Sequence, residues 1–331
     1  MSHPYPFPLD MSQHDLGQQP WDRLFMPLVV TVPLLAVIRK LTTHFVYAFC
    51  ICKGYRRDVA RKMGDSAYYF GQYTILYLVG LYIGCGDGIF VDSYEIVFDA
   101  PYGGSPWREI YRWYYIMQVS TYVVACLFLA GDSRKGYSDT LVMWLHHGIT
   151  LAMLVCSYRM QYIRFGVFLA CIADFSDVFL ELSKLINYTL GEYVSVYSFG
   201  IFALSFIGIR VVYYPYMFVP VWKHFSQAGS ILDERHPYAF LQGKYTWPVG
   251  LVGIYLLFVY WSLQIVKMVY GIVFKNVRGD IRDSGEQQSG WKGANKLDIS
   301  RPPAAVPLDR DPDTKEKRSV SQPPTGKRKA E

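Results

Sequence analysis

The chain is predicted to be an all-α, polytopic membrane protein with about seven transmembrane helices. Three observations carry that expectation. Apolar residues make up 52% of the 331 positions and charged residues only 18%, low for a soluble domain. The apolar residues gather into runs long enough to cross a hydrocarbon core, which takes about 20 helical residues. The charges crowd between those runs. The net charge of +6 fits basic cytosolic loops and a basic tail, and it calls for no nucleic acid.

Taken in order, residues 1–22 are polar, contain Pro4, Pro6 and Pro8, and lack the basic-then-apolar layout of a cleaved signal peptide. Insertion therefore falls to the first span, Leu24 to Ile51, which Arg39 and Lys40 interrupt and Pro33 is expected to bend. The next loop carries Lys53, Arg56, Arg57, Arg61 and Lys62, so the positive-inside rule puts it in the cytosol. The second span covers Ala67 to Gly84. An acidic loop with Asp87, Asp92, Glu95 and Asp99 follows and suits the lumen. The third span, Trp113 to Ala130, leads to a short cytosolic loop holding Arg134 and Lys135. The fourth and fifth spans run on either side of a basic break at Arg159 to Arg164. Those two arginines fall on the lumenal side, against the charge rule. The sixth span, Val194 to Trp222, contains Arg210, and the seventh is Trp247 to Phe274. Seven spans leave the N-terminus in the lumen and the C-terminus in the cytosol. Beyond the last span, Pro, Ser, Gly and charged residues dominate, and such a segment cannot bury enough surface to fold. The six cysteines (Cys50, Cys52, Cys85, Cys126, Cys156, Cys171) lie in or beside apolar runs and read as structural thiols.

The fourth and fifth spans each hold something costly. The fourth carries His146 and His147; the fifth carries Asp174 and Asp177, with Glu181 and Lys184 after them. Ionisable groups at membrane depth cost several kcal/mol unless paired or wet, which makes them functional candidates. Depth supports the reading. If the fourth helix enters near Thr140, His146 lies about 9 Å below that face at ~1.5 Å per residue. On the returning helix, Asp174 and Asp177 lie about 18 and 22 Å from the opposite face, hence roughly 8–12 Å from the first. The histidines and aspartates are thus expected at one depth on neighbouring antiparallel helices. Adjacent histidines point about 100° apart, so one faces the aspartates and the other faces substrate or another helix. Glu181 and Lys184, nearer the boundary, read as an i,i+3 ion pair.

The pattern His146-His147-x-x-Thr150, Ser157-Tyr158, Arg164-x-Gly166, Asp174-x-Ser176-Asp177, Leu180-Glu181-x-Ser183-Lys184 and Asn187-Tyr188 resembles the longevity-assurance (Lag) motif of ceramide synthases. Those enzymes are multi-pass proteins with a TLC domain. The resemblance implies a TLC-type helical barrel or bundle divided as follows: a lumenal arm, 1–22; a first helix with its cytosolic loop, 23–60; a TLC domain of six helices, 61–275; and a disordered cytosolic tail, 276–331. It implies transfer of a fatty acyl group from acyl-CoA to a sphingoid amine, with acyl-CoA as co-substrate and no bound cofactor or metal. His146, His147, Asp174 and Asp177 are then the catalytic set. Histidine suits the task, because the amine must lose a proton near neutral pH. It serves as general base, or as a nucleophile carrying an acyl-imidazole, and the sequence does not choose. Arg134 and Lys135 match a basic pair suited to coenzyme A phosphates, and positive-inside topology explains them equally well. Arg210 matches a family arginine; its depth, about 24 Å from Val194, places it toward the lumen, where structural pairing or snorkelling competes with substrate contact. The loop Lys223 to Thr246 corresponds to a region linked to acyl-length choice. Lys327 and Lys329 match a K-x-K-x-x signal for retrieval to the endoplasmic reticulum. A homo- or heterodimer, or a small accessory subunit, stays open.

Gln161, Arg159 and the Asp65-Ser-Ala-Tyr68 stretch depart from the family pattern, and residues 53–66 are too few for the homeobox-like insert of some relatives. The sequon Asn187-Tyr-Thr189 lies against a span on the cytosolic side, so no glycan is expected. The competing class is a non-enzymatic TLC protein in lipid sensing, trafficking or translocation. Such proteins usually lack the complete histidine pair with D-x-S-D. A metal-dependent hydroxylase needs several spaced histidine clusters, and the remaining histidines here (His3, His14, His44, His224, His236) are isolated. A transporter would show paired, Gly/Pro-broken half-helices.

Overall fold

A computed structural model describes residues 21–86, 88–90, 108–131, 137–159, 163–190, 192–216 and 246–274. These residues form seven helical rods and no strand. They are α1 (Trp21–Cys52), α2 (Arg57–Gly86), α3 (Arg108–Ala130), α4 (Tyr137–Arg159), α5 (Ile163–Thr189), α6 (Glu192–Phe206) and α7 (Thr246–Phe274). The rod begun by α6 runs on through a π-helical stretch, Ile207–Tyr213, and ends in a short turn, Tyr214–Tyr216. The all-α, polytopic membrane reading holds. Five helices are long and apolar enough to cross a membrane by length and composition: α1, α3, α4, the α6 rod and α7. Tyrosine-rich α2 and aspartate-bearing α5 lie outside that set, because their polar groups lower the apolar score of helices packed inside the bundle.

Packing order defines a barrel. α2 lies against α5, α5 against α6, α6 against α7, α7 against α4, α4 against α3, and α3 against α2. That circuit of six helices closes on itself, and α1 sits outside it on α2 and α3. The outer surface keeps large apolar side chains exposed, among them Val29 and Val30 on α1, Leu204 on α6 and Leu256 on α7. In a soluble protein such a belt would be an aggregation liability; against acyl chains it is the expected face. The tightest seam runs between α2 and α5. Gly80 permits it: a Cβ there would stand 3.2 Å from the Cβ of Cys171 and 3.0 Å from the Tyr114 hydroxyl. Close approach at small residues is how helices associate where lipid and leucine are equally apolar.

α1 is one continuous helix through Pro27 and Pro33. Its arginine is no interruption. Arg39 is 7% exposed, with its guanidinium 4.0 Å from the Phe128 ring centre and 4.8 Å from that of Tyr69, and 3.8 Å from Asp65. The aromatic faces and one carboxylate replace the water the cation gives up. Beyond Arg39, Cys50 on α1 packs with Val59, Ala60 and Met63 on α2, and Tyr188 of α5 joins them. All six cysteines are free thiols.

Candidate active site

A partly open cavity lies among the helices of the barrel. Its walls come from α3, α4, α5, α7 and the π-helical stretch of the α6 rod. The polar end is formed by Gln118, His146, Asp177 and Arg210. The rest is mainly apolar.

One member of each polar pair, His146 on the fourth helix and Asp177 on the fifth, lines the cavity, and the other does not. His146 lines the cavity, with Trp261 edge-on at 5.1 Å and Phe258 at 6.5 Å between ring centres. His147 turns away, is 8% exposed, and meets the Tyr122 ring at 5.6 Å. The ~100° step between neighbouring helical residues produces this split. Asp177 lines the cavity as well. Asp174 is 4% exposed and is capped by Gln118, whose Nε2 donates to Asp174 Oδ2 at 2.8 Å and to the Tyr114 hydroxyl at 3.0 Å. A side-chain amide is a low-cost partner for a buried carboxyl, since it brings donors without a second charge.

Arg210 lies closer to the aspartates than the separate depth counts for the two helices suggest. Counting along the span placed it toward the lumen. In the structure it is 4% exposed and reaches the aspartate helix, its Nη2 2.7 Å from Asp177 Oδ1. The same Nη2 donates to the Ala173 carbonyl at 2.9 Å, and Nε donates to Ser176 Oγ at 2.9 Å. Phe206 and Phe258 stand 4.7 and 4.8 Å from the guanidinium. Two features bring it there. The rod starts at Glu192 and turns π-helical at Ile207–Tyr213, and the arginine's long stem carries its charge several ångströms along the barrel. The guanidinium thus grips one turn of α5 at three points and shares Phe258 with His146.

Glu181 and Lys184 form the expected i,i+3 pair, Nζ to Oε1 at 2.6 Å. Asn187 of the sequon accepts from Ser195 Oγ at 2.9 Å. Arg134, Lys135, Lys327, Lys329 and most of the 223–246 loop lie outside the described residues. No cluster of three or more metal-ligating side chains occurs among the described residues. Sequence reasoning missed Gln118 and Tyr122. Gln118 is the one side-chain amide in a span whose other polar residues carry hydroxyls, and that was the available signal.

The TLC domain family model matches residues 62–267, which contain both polar pairs, Gln118 and Arg210. The chain belongs to the TLC domain family. It is similar to ceramide synthase hyl-1 of Caenorhabditis elegans, 26% identical over 67% of this chain and 61% of the worm protein. It is likewise similar to the sphingosine N-acyltransferase lag1 of Schizosaccharomyces pombe, 27% identical over 82% of this chain and 70% of the yeast protein. Ceramide synthase LOH2 of Arabidopsis thaliana is 30% identical over 52% of this chain and 59% of the plant protein. The chain thus spans about three-fifths of the length of the worm and plant relatives.

Proposed function

We propose that the chain is a ceramide synthase, an acyl-CoA-dependent sphingoid-base N-acyltransferase. The observation that carries this reading is His146 facing one cavity with the Asp177–Arg210 pair, at the polar end of an otherwise apolar chamber. The names of the relatives support the same class. A sphingoid ammonium and an acyl thioester give an amide, coenzyme A as its thiol, and one proton. The C–N bond forms and the C–S bond breaks. His146 takes the proton that frees the amine lone pair, or attacks the thioester itself and passes the acyl group on. Asp177, gripped by Arg210, fixes the electrostatics around it. His147 and Asp174 hold the two helices in register from outside the cavity.

No bound cofactor enters the scheme; acyl-CoA is consumed. The 61–275 domain would catalyse, with Arg134 and Lys135 on the cytosolic side for the coenzyme A phosphates. The arm at 1–22 would be lumenal and the tail at 276–331 cytosolic, placing Lys327 and Lys329 where endoplasmic reticulum retrieval works. A dimer or a small accessory subunit is compatible with the apolar outer belt. The test is amide formation in membranes carrying the chain, supplied with sphingoid base and a panel of acyl-CoAs. His146→Ala is expected to lower the rate by about 10²–10⁴-fold, with His147→Ala and Asp174→Asn less affected, at matched expression. A wild-type chain that forms no amide from any acyl-CoA, even with candidate subunits, would move the reading to lipid sensing or trafficking.

A further inference from the structure

The cavity has a measurable length. On α4 its lining runs from His146 to Ser157, and on α5 from Asp177 back to Gly166. Each stretch advances 11 residues (157 − 146 and 177 − 166), so both walls are about 16–17 Å long at ~1.5 Å per residue. The two walls, read independently, give the same span.

At the end away from the histidines, behind Ser157 and Gly166, stands a hydrogen-bonded tyrosine. The Tyr115 hydroxyl lies 2.9 Å from Ser157 Oγ and donates to the Ile163 carbonyl at 3.2 Å. Ser157 Oγ in turn lies 2.8 Å from the Leu154 carbonyl. Tyr115 is fully buried, and its ring packs 5.8 Å from Tyr158. A Cβ at Gly166 would overlap the Tyr115 hydroxyl, so the tyrosine fills the space a side chain would otherwise take. Both Tyr115 and Ser157 have their polar atoms satisfied, so the stop has no reason to swing aside.

From this geometry, and resting on the acyltransferase reading, we infer that Tyr115, Ser157 and Gly166 form the stop of an acyl-length ruler that selects long-chain acyl groups of 14–16 carbons over very long ones. Extended carbon chains with ~1.52 Å bonds at ~111° advance about 1.25 Å per carbon. A wall of about 16.5 Å therefore accommodates about 13 bonds beyond the carbonyl held at His146, which gives an acyl group of about 14 carbons. Modest bending admits two more. A chain of 24 carbons would need about 29 Å and would meet Tyr115 with some ten carbons still unplaced. Met153, about 10 Å from His146 along α4, seats its sulfur against Gly250 and narrows the middle of the ruler.

The experiment is a competition. Purified full-length chain, with sphingoid base and equimolar saturated acyl-CoAs from 12 to 24 carbons, is read by mass spectrometry of the amides. The wild type is expected to make C14 and C16 amides at least tenfold over C22 and C24. Ser157→Leu extends a side chain about 2.5 Å into the stop, which shortens the optimum by about two carbons. Met153→Phe, remote from the stop's hydrogen bonds, narrows the ruler at about nine carbons, so with C8-CoA added to the panel it is expected to depress C12 and C16 together relative to C8, and it serves if the Ser157 variant does not fold. A wild type dominated by C22–C24 amides would overturn the ruler while leaving the acyltransferase intact. So would active Ser157→Leu and Met153→Phe proteins with an unchanged profile, which would hand length selection to the 223–246 loop. No amide of any length from folded protein would remove the reading on which the ruler rests.

Discussion

Consider Arg210→Ala. The wild-type guanidinium makes one ion pair and two further hydrogen bonds to a single turn of α5, and it fits between Phe206 and Phe258. Removing one partner of a buried pair leaves an uncompensated charge and costs about 3–5 kcal/mol. Asp177 keeps some exposure, 18% against 5% for the arginine, so the lower figure, ~3 kcal/mol, is the better expectation. At roughly 2–4 °C per kcal/mol for a chain of this size, the unfolding midpoint should fall by about 6–12 °C. Asp177→Asn removes the charge that Arg210→Ala strands, so the double variant should recover at least half of that loss in stability. It should not recover activity. The assay is thermal unfolding of detergent-solubilised protein for the wild type, both single variants and the double variant. A coupling energy below about 0.5 kcal/mol, the level of additivity between independent sites, would refute the claim that the two residues act as one unit.

Two other substitutions read neighbouring parts of the barrel. Gln118→Leu removes the donor to Asp174 and should cost about 1–3 kcal/mol, measured in the same unfolding assay, whereas Gln118→Asn paired with Asp174→Glu should restore part of it by moving the amide–carboxyl contact without deleting it. Gly166→Ala should destabilise the fold by about 1–3 kcal/mol, since the added methyl meets the Tyr115 hydroxyl, and Tyr115→Phe in the same chain should relieve part of the penalty.

Much of this site is legible in the sequence, for reasons that can be stated residue by residue. Charge inside an apolar run is visible without a fold, so His146, His147, Asp174 and Asp177 declare themselves. Helical rise is constant, so counting predicts a common depth, and His146 and Asp177 do line one cavity. Glu181 and Lys184 are local, three residues apart on one helix, and local pairs need no tertiary knowledge. Contacts between distant helices are a different matter. Gln118 reaches Asp174 across 56 positions of chain, and nothing in the hydropathy of α3 says which face it presents. The partner of Arg210 escapes for a second reason. A π-helical stretch changes the residue count per turn, and its sequence, Ile-Gly-Ile-Arg-Val-Val-Tyr, carries no proline or charge pattern that would announce it. The closure of six helices into a ring is likewise a property of packing order, which a list of spans does not contain.

The position of Arg39 has a consequence for how the chain is made. The first helix enters the bilayer with a cation whose partners do not yet exist. Asp65 and Tyr69 follow on α2, but Phe128, the ring closest to the guanidinium, lies 89 residues downstream (128 − 39). At about 5–20 residues per second, a ribosome needs roughly 4–18 s to supply it. Through that interval the helix carries an exposed cation, disfavoured by about 2.5–3.5 kcal/mol at mid-bilayer. The first helix is therefore expected to gain its full stability in the bilayer only once α2 and α3 have packed against it.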